Sequence, residues 1–226
     1  MSERKESVVR KQKQSPCRRK PKDEAEWKMF RQMGIGSSDS AAIVGASNWK
    51  TARDLWLEKT GQKKPKDISD NEYITKGILL EPAIREVYKA LHPDRKVTYH
   101  KFDMLYQPER PFIFATLDGE VKDENGRYGC LEIKTSTPRS KTDWDKWENQ
   151  VPSAYHVQCL HEMLSSGYEF VDLFAFIFRQ DGDFVAREYR FEREECEEDL
   201  AWLLEQETAF WESIEQKKLP SLTLVI

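Results

Sequence analysis

No apolar run in this chain approaches the roughly twenty residues that a membrane-spanning helix needs, so an integral helical membrane protein is not expected. The opening MSERKESVVRK is too charged for the apolar heart of a secretory signal. Cysteine is scarce and dispersed. Cys17, Cys130, Cys159 and Cys196 include no Cys-x-x-Cys pair, which argues against a zinc knuckle or an iron–sulfur cluster and for reduced, mostly buried thiols. Internal repeats are absent as well. An intracellular, soluble protein is the expectation that remains. Its 226 residues, with seven Trp, eleven Phe and eight Tyr, supply core material for one well-buried domain plus extensions.

Charge is unevenly placed. Residues 1–22 hold nine Lys or Arg against two Glu, a balance of +7, while the other 204 residues hold 27 against 38, a balance of −11. The arm 1–22 lacks periodicity and large apolar groups and is expected to be disordered, either attracting phosphates, directing localisation or serving as a solvated tail. Residues 23–226 form the expected single domain.

The walk along that domain starts with a helix from Asp23 to Met33, a turn at Gly34-Ile35-Gly36 and a second helix start at Ser37-Ser38-Asp39, where Ser37 or Ser38 is the expected cap. Thr51 to Thr60 reads as a short helix closed by Gly61, and 62–72 as a Lys-rich loop. Then come a helix at 77–90, strands at 97–106, 112–121 and 129–135, a helix at about 152–166, and an apolar strand at 171–178. This αβββαβ order implies an α/β fold, a central mixed sheet flanked by helices. Phe184 to Phe191 adds a strand, and 192–217 a long acidic helix with Cys196, Leu200, Leu203, Leu204, Phe210, Trp211 and Ile214 as its apolar stripe. The polar face of that helix is either a contact for a partner or simply solvated. Trp144 and Trp147 fall in a polar loop, where core or interface packing outweighs base stacking. His156 and His161 are five apart, the wrong spacing for a shared helix face, and are not taken as ligands.

Chemistry concentrates at one hairpin. Asn125-Gly126 is a strong turn signal between 112–121 and 129–135, and pairing those strands brings Asp118 beside Glu132. Alternation sends Glu132 and Lys134 to one face and Ile133 to the other, into the core. Glu-x-Lys itself is weak, since it also begins at Glu3, Glu26 and Glu215. Only the copy at Glu132 lies in an apolar, strand-like run with an acid on the neighbouring strand. Locally, the alternative is an exposed cross-strand ion pair contributing less than ~1 kcal/mol. Two carboxylates and an amine are what a metal-dependent phosphodiester hydrolysis requires: hard oxygen ligands for Mg²⁺, with the Ile133 main-chain carbonyl as a possible third, and a lysine that orients or deprotonates the attacking water.

Several separated motifs then fall in one order: Trp27 and Arg31 leading into Gly34-Ile35-Gly36-Ser37-Ser38, the segment SNWKTARDLWLEKTG, Gly77-x-x-x-Glu81, Leu117-Asp118-Gly119, Leu131-Glu132-Ile133-Lys134 and Ala154-Tyr155-His156-Val157-Gln158. Over about residues 25–180 the chain resembles the lambda exonuclease/YqaJ-like viral recombinase family of the PD-(D/E)xK nuclease superfamily. The resemblance implies a restriction-endonuclease-like core and a Mg²⁺-dependent DNA exonuclease, with Mn²⁺ as a substitute and two ions per site. It adds Glu81 to Asp118, Glu132 and the Ile133 carbonyl around the metals, gives the water to Lys134, and makes Gln158 and Tyr155 supports for the lysine and the scissile phosphate. Without it, Glu81 and Gln158 read as solvated polar residues.

Arg31, Ser38 and the neighbouring Ser37 match the family's 5′-phosphate site, which implies 5′ to 3′ digestion of duplex ends into 3′ overhangs. A single-strand annealing protein as partner and a homotrimeric ring come with the family. If the chain is phage-encoded its place is the host cytoplasm, with a nucleus as the counterpart in a eukaryotic system. The chain departs from the pattern in its basic arm and at Asn48, where a basic residue is usual and Lys50 is a candidate replacement. An endonuclease or repair nuclease of other polarity, and a non-catalytic DNA-binding module, are the alternatives.

Overall fold

In a computed structural model that describes residues 15–68 and 70–220, the chain forms two mixed sheets with helices packed around them. The five-stranded sheet has the order β3-β6-β7-β8-β9, with β3 at Lys96–Thr98, β6 at Gly119–Lys122, β7 at Tyr128–Ser136, β8 at Phe170–Phe178 and β9 at Phe184–Glu192. Its centre is the parallel β7–β8 pair, and its other pairings are antiparallel. β8 is covered on both faces, which is why VDLFAFIF reads as an almost unbroken apolar run instead of an alternation. The four-stranded sheet has the order β1-β4-β5-β2, from Cys17–Arg19, Met104–Tyr106, Ile113–Ala115 and Ile35–Gly36.

The expected single strands at 97–106 and 112–121 are each broken in two, and the halves belong to different sheets. The first breaks at a turn where Asp103 N–H donates to the His100 carbonyl and Phe102 adopts a φ of 68°. The second breaks at Thr116-Leu117-Asp118, where the chain crosses between sheets. Apolar residues lie on both sides of each break, so apolar pattern alone could not reveal the crossover. Asp118 therefore sits at the junction of the two sheets, immediately before β6.

The helices follow their caps. Asp23 caps α1 (Glu24–Arg31), Thr51 and Asp54 form a reciprocal box on α3 (Ala52–Lys59), and Asn71 caps α4 (Glu72–Leu91), which begins five residues earlier than the sequence suggests. Neither Ser37 nor Ser38 caps α2 (Ser37–Ile43). Gly36 has the extended backbone that a cap needs, and its N–H donates to Asp39 Oδ2, leaving both serines inside the first turn. α5 (Lys141–Asp145) turns part of the expected loop into a short helix, and α6 (Ser153–Ser166) stops at Gly167, whose φ of 70° ends it. A 3₁₀ turn at Arg193–Glu195 precedes α7 (Glu197–Glu215).

Odd-numbered β8 residues Val171, Leu173, Ala175 and Ile177 pack with Cys130, Cys159, Leu160, Met163 and, from the start of the α7 stripe, Cys196, Leu200 and Leu203; Phe210, Trp211 and Ile214 pack with Ile35, Ile43, Leu55 and Trp56 instead. Leu131, Ile133, Phe170, Phe174 and Phe176 pack on the other face against Ile84 and Tyr88 of α4. Trp147 belongs to the first of these cores and Trp144 packs against it, as the packing reading expected. Cys130, Cys159 and Cys196 are buried free thiols, and Cys17 is half-buried.

Part of the arm expected to be disordered is structured. Residues 1–14 lie outside the described residues, but Cys17–Arg19 pair with β4 as β1. Arg18 is held there by Asp103 and Glu120, and Arg19 lies over the Phe30 and Tyr106 rings, so these cations are used internally rather than left in solvent. No helix among the described residues is long and apolar enough to cross a membrane.

Candidate active site

Asp118, Glu132, Lys134, Gln158 and, at the rim, Glu81 come together where β6 begins beside β7. β6 pairs with β7 only from Gly119, opposite Leu131. Past that point the Asp118 side chain takes the place of a strand neighbour: its Oδ2 accepts the Ile133 N–H at 2.8 Å. In a strand the N–H and C=O of one residue point to the same side, so the Ile133 carbonyl also faces the Asp118 edge. The Arg85 Nε donates to the Asp118 carbonyl at 2.5 Å, and its guanidinium pairs with Glu81. Gly77 lets α4 approach this end of β7, since a Cβ there would lie 3.0 Å from Thr135 Oγ1.

Glu132 is almost fully buried and contacts Lys134 directly. Gln158 bridges the pair, its Oε1 accepting from Lys134 Nζ at 2.8 Å and its Nε2 donating to Glu132 Oε1 at 2.7 Å. The Tyr155 ring lies 5.0 Å from Lys134 Nζ. Tyr155, Gln158 and Glu162 are spaced i, i+3, i+7 and form one stripe of α6.

The carboxylates crowd one another. Burial, then Glu132 and Glu81, push Asp118 well above the usual carboxylate range. Burial also raises Glu81, with Glu132 adding to it and Arg85 opposing. Burial pulls Lys134 down, yet Glu132 and Asp118 outweigh it and hold the amine above its ordinary value, as an ammonium. Such unrelieved negative charge on hard oxygen donors fits a divalent cation. Among the described residues, however, no three His, Cys, Asp or Glu side chains already converge as a metal cage. Glu132 is turned to Lys134 and Gln158, so holding a cation would mean sharing its oxygens between them.

Two residues here were not anticipated. Glu162 is fully buried, its Oε1 is 3.3 Å from Gln158 Nε2, and its carboxyl is also paired with Glu132. Burial, then Glu132 and Asp118, raise it well above the usual range. Its signal was an acid four residues after Gln158 among Cys159, Leu160 and Met163. Arg85 is the other, four residues after Glu81.

The proposed phosphate residues form a separate group. Arg31 lies over the Trp27 ring, 4.9 Å from its centroid, and its Nη2 donates to Ser38 Oγ at 2.8 Å. Ser38 is exposed, whereas Ser37 is buried and is not brought to Arg31 by any hydrogen bond seen here. Buried Asp39 pairs with Lys59 at 2.8 Å, and Lys59 also donates to the Arg31 carbonyl. Burial opposes the Asp39 charge, but Lys59 and Arg31 outweigh it and hold the carboxyl below its ordinary range. Lys50 is engaged with Glu58 at 2.5 Å. His161, which the sequence did not favour as a ligand, is enclosed by Ser40, Glu207 and the Phe114 carbonyl.

A mixed α/β core with acids and a lysine at the β6–β7 edge defines the restriction-endonuclease-like fold. It is shared with an alkaline exonuclease from Laribacter hongkongensis, also solved in complex with dAMP (20% identity, TM-score 0.64, 85% of this chain and 93% of that one). A phage-related exonuclease from Haemophilus somnus 129PT has it too (12% identity, TM-score 0.56, 81% and 96%). Residues 26–169 match the YqaJ-like viral recombinase domain, and the chain belongs to that family. The Bacillus subtilis (strain 168) protein YqaJ is 32% identical over 186 residues, 82% of this chain and 54% of that protein, so the chain spans about half the length of this curated relative.

Proposed function

We propose that the chain is a metal-dependent exonuclease that hydrolyses linear duplex DNA from 5′-phosphorylated ends, leaving 3′ overhangs for recombination by strand annealing. The observation that carries the reading is the linked set Asp118, Glu132, Lys134 and Gln158, in which the amine is held between a carboxylate and an amide oxygen. Family membership and the exonuclease folds it resembles support the substrate class.

Mg²⁺, or Mn²⁺ in its place, would be held by Asp118, Glu132, Glu81 and the Ile133 carbonyl, and would neutralise phosphate charge and make a water nucleophilic. Lys134, as an ammonium, orients the attacking water and offsets the charge that develops on the phosphate. Gln158 fixes the direction of the Lys134 donors, and the Tyr155 ring bounds the other side of the amine. Arg85 steadies the Asp118 backbone. Arg31 and Ser38 together suit a terminal phosphate, offering a guanidinium fork and a hydroxyl. The annealing partner and the trimeric ring rest on the family resemblance alone.

The test is digestion of a linear duplex with one 5′-phosphorylated and one 5′-hydroxyl end, each strand separately labelled, with Mg²⁺ and with EDTA. Mg²⁺-dependent loss of the 5′-phosphorylated strand into mononucleotides is expected. Equal loss of both strands would refute the polarity, and efficient cutting of closed circles would replace the exonuclease with an endonuclease.

A further inference from the structure

Glu162 has no part in the metal and lysine assignments above, yet it is the most enclosed acid of the site. It is fully buried on α6, with one oxygen facing Gln158 and the carboxyl also paired with Glu132.

The Gln158 amide explains what it does. An amide has two N–H donors on one side and one oxygen on the other, and its two orientations are nearly isosteric. Here the nitrogen faces two acids, Glu132 Oε1 at 2.7 Å and Glu162 Oε1 at 3.3 Å, and the oxygen faces Lys134 Nζ at 2.8 Å. Turning the amide over would set its oxygen against two carboxyl groups and its N–H donors against an ammonium. With Glu132 as sole acceptor, one of the two carboxyl oppositions disappears, and Glu132 is also the group shared with Lys134 and, in the proposed reaction, with a cation.

We propose that Glu162 is a positioning residue: it fixes the orientation of the Gln158 amide so that its oxygen holds the Lys134 ammonium while Glu132 is engaged elsewhere. The catalytic consequence rests on the nuclease reading above; the orientation of Gln158 does not.

The test compares Glu162→Leu and Glu162→Gln with the full-length wild type. Leucine removes the acceptor, and glutamine retains a carbonyl oxygen in its place. Three quantities are read: kcat and KM on a 5′-phosphorylated duplex with Mg²⁺, the melting temperature, and the Gln158 side-chain amide signals in ¹H–¹⁵N spectra. Glu162→Leu is expected to lower kcat at least about thirtyfold with KM within about threefold. It should not lower the melting temperature, and it should split or broaden the single Gln158 amide pair of the wild type. Glu162→Gln is expected to keep kcat within about threefold and the single amide pair.

An unchanged kcat in Glu162→Leu, or a loss accompanied by a lower melting temperature, overturns the proposal. So does a Glu162→Gln protein as slow as Glu162→Leu, since the acceptor would not then be what matters. If the wild type cuts no DNA, the nuclease reading fails and the amide signals alone decide. A Gln158 amide disturbed by leucine and not by glutamine upholds the positioning role, and an undisturbed one ends it.

Discussion

The two faces of the β7–β8 ladder treat buried acids in opposite ways. On the α4 face, Asp172 is fully buried opposite Leu131 and receives Arg95, both ends of the Arg190 fork and the Tyr88 hydroxyl, with Glu188 completing the group. On the α6 face, one residue along β7, Glu132 shares Lys134 with Asp118 while Glu162 closes in behind Gln158. Cations surround the acid in the first group, and acids outnumber cations in the second. A fold can keep a buried carboxylate where neighbouring donors and charges satisfy it. Where they do not, the excess charge points to a group supplied from outside, and it is the second face that carries the proposed chemistry.

The largest effect that would sharpen this contrast is on turnover. Lys134→Ala is expected to lower cleavage by about a thousandfold or more, since it removes the cation that orients the water. Binding of the duplex should stay measurable in a mobility-shift assay with Ca²⁺. Turnover within tenfold of wild type would remove Lys134 from the mechanism.

The next separates the faces by stability. Asp172→Asn breaks a satisfied buried group and leaves Arg95 and Arg190 without their carboxylate, a loss of about 3–5 kcal/mol by denaturant titration, while cleavage per folded molecule is retained. Asp118→Asn should do the reverse, raising the melting temperature in EDTA and abolishing cleavage in Mg²⁺. Equal losses of stability in both variants would erase the distinction between the faces.

A smaller effect belongs to the phosphate group. Arg31→Ala is expected to reduce the preference for 5′-phosphate over 5′-hydroxyl ends by about tenfold, the scale of one charge-assisted hydrogen bond, and to leave the hydroxyl substrate nearly unaffected. An unchanged preference would move the pocket elsewhere.

How far these faces were legible in the sequence depends on the range of the interaction. The Asn125-Gly126 hairpin, the Glu132/Lys134 alternation and the burial of Ile133 follow from period-two geometry within about fifteen residues, and they were readable. The crossover at Thr116-Leu117-Asp118 was not, because buried apolar residues lie on both sides of it and only tertiary contacts divide them between sheets. Arg18 looked like part of a solvated arm, since its partners Asp103 and Glu120 are 85 and 102 residues away. Glu162 was hidden by its helix, where an acid among apolar residues reads as a face turned to solvent. The Asp172 group was missed for the same reason: within a strand, one acid in an apolar run does not announce the two arginines that come to it.

The smallest effect, a shift of melting temperature with pH, tests the charge imbalance without reference to cleavage. Asp118, Glu81 and Glu162 have pKa values raised above those of the unfolded chain. A carboxyl raised in this way binds its proton more tightly when folded, so its contribution to stability is fully present below the unfolded pKa near ~4 and is lost as pH rises through the folded value. In EDTA the wild type should therefore melt lower at pH 8 than at pH 5, and Asp118→Asn should flatten the slope by removing the most crowded of the three acids. The Asp172 group supplies the control, since Asp172→Asn should lower the whole curve and leave that portion of the slope in place. Adding Mg²⁺ at pH 8 should restore more stability to the wild type than to Asp118→Asn, because the ion relieves repulsion that the variant no longer has. A wild-type curve rising from pH 5 to pH 8 in EDTA would mean that the satisfied face governs the titration and that the α6 face carries no excess charge for a cation to relieve.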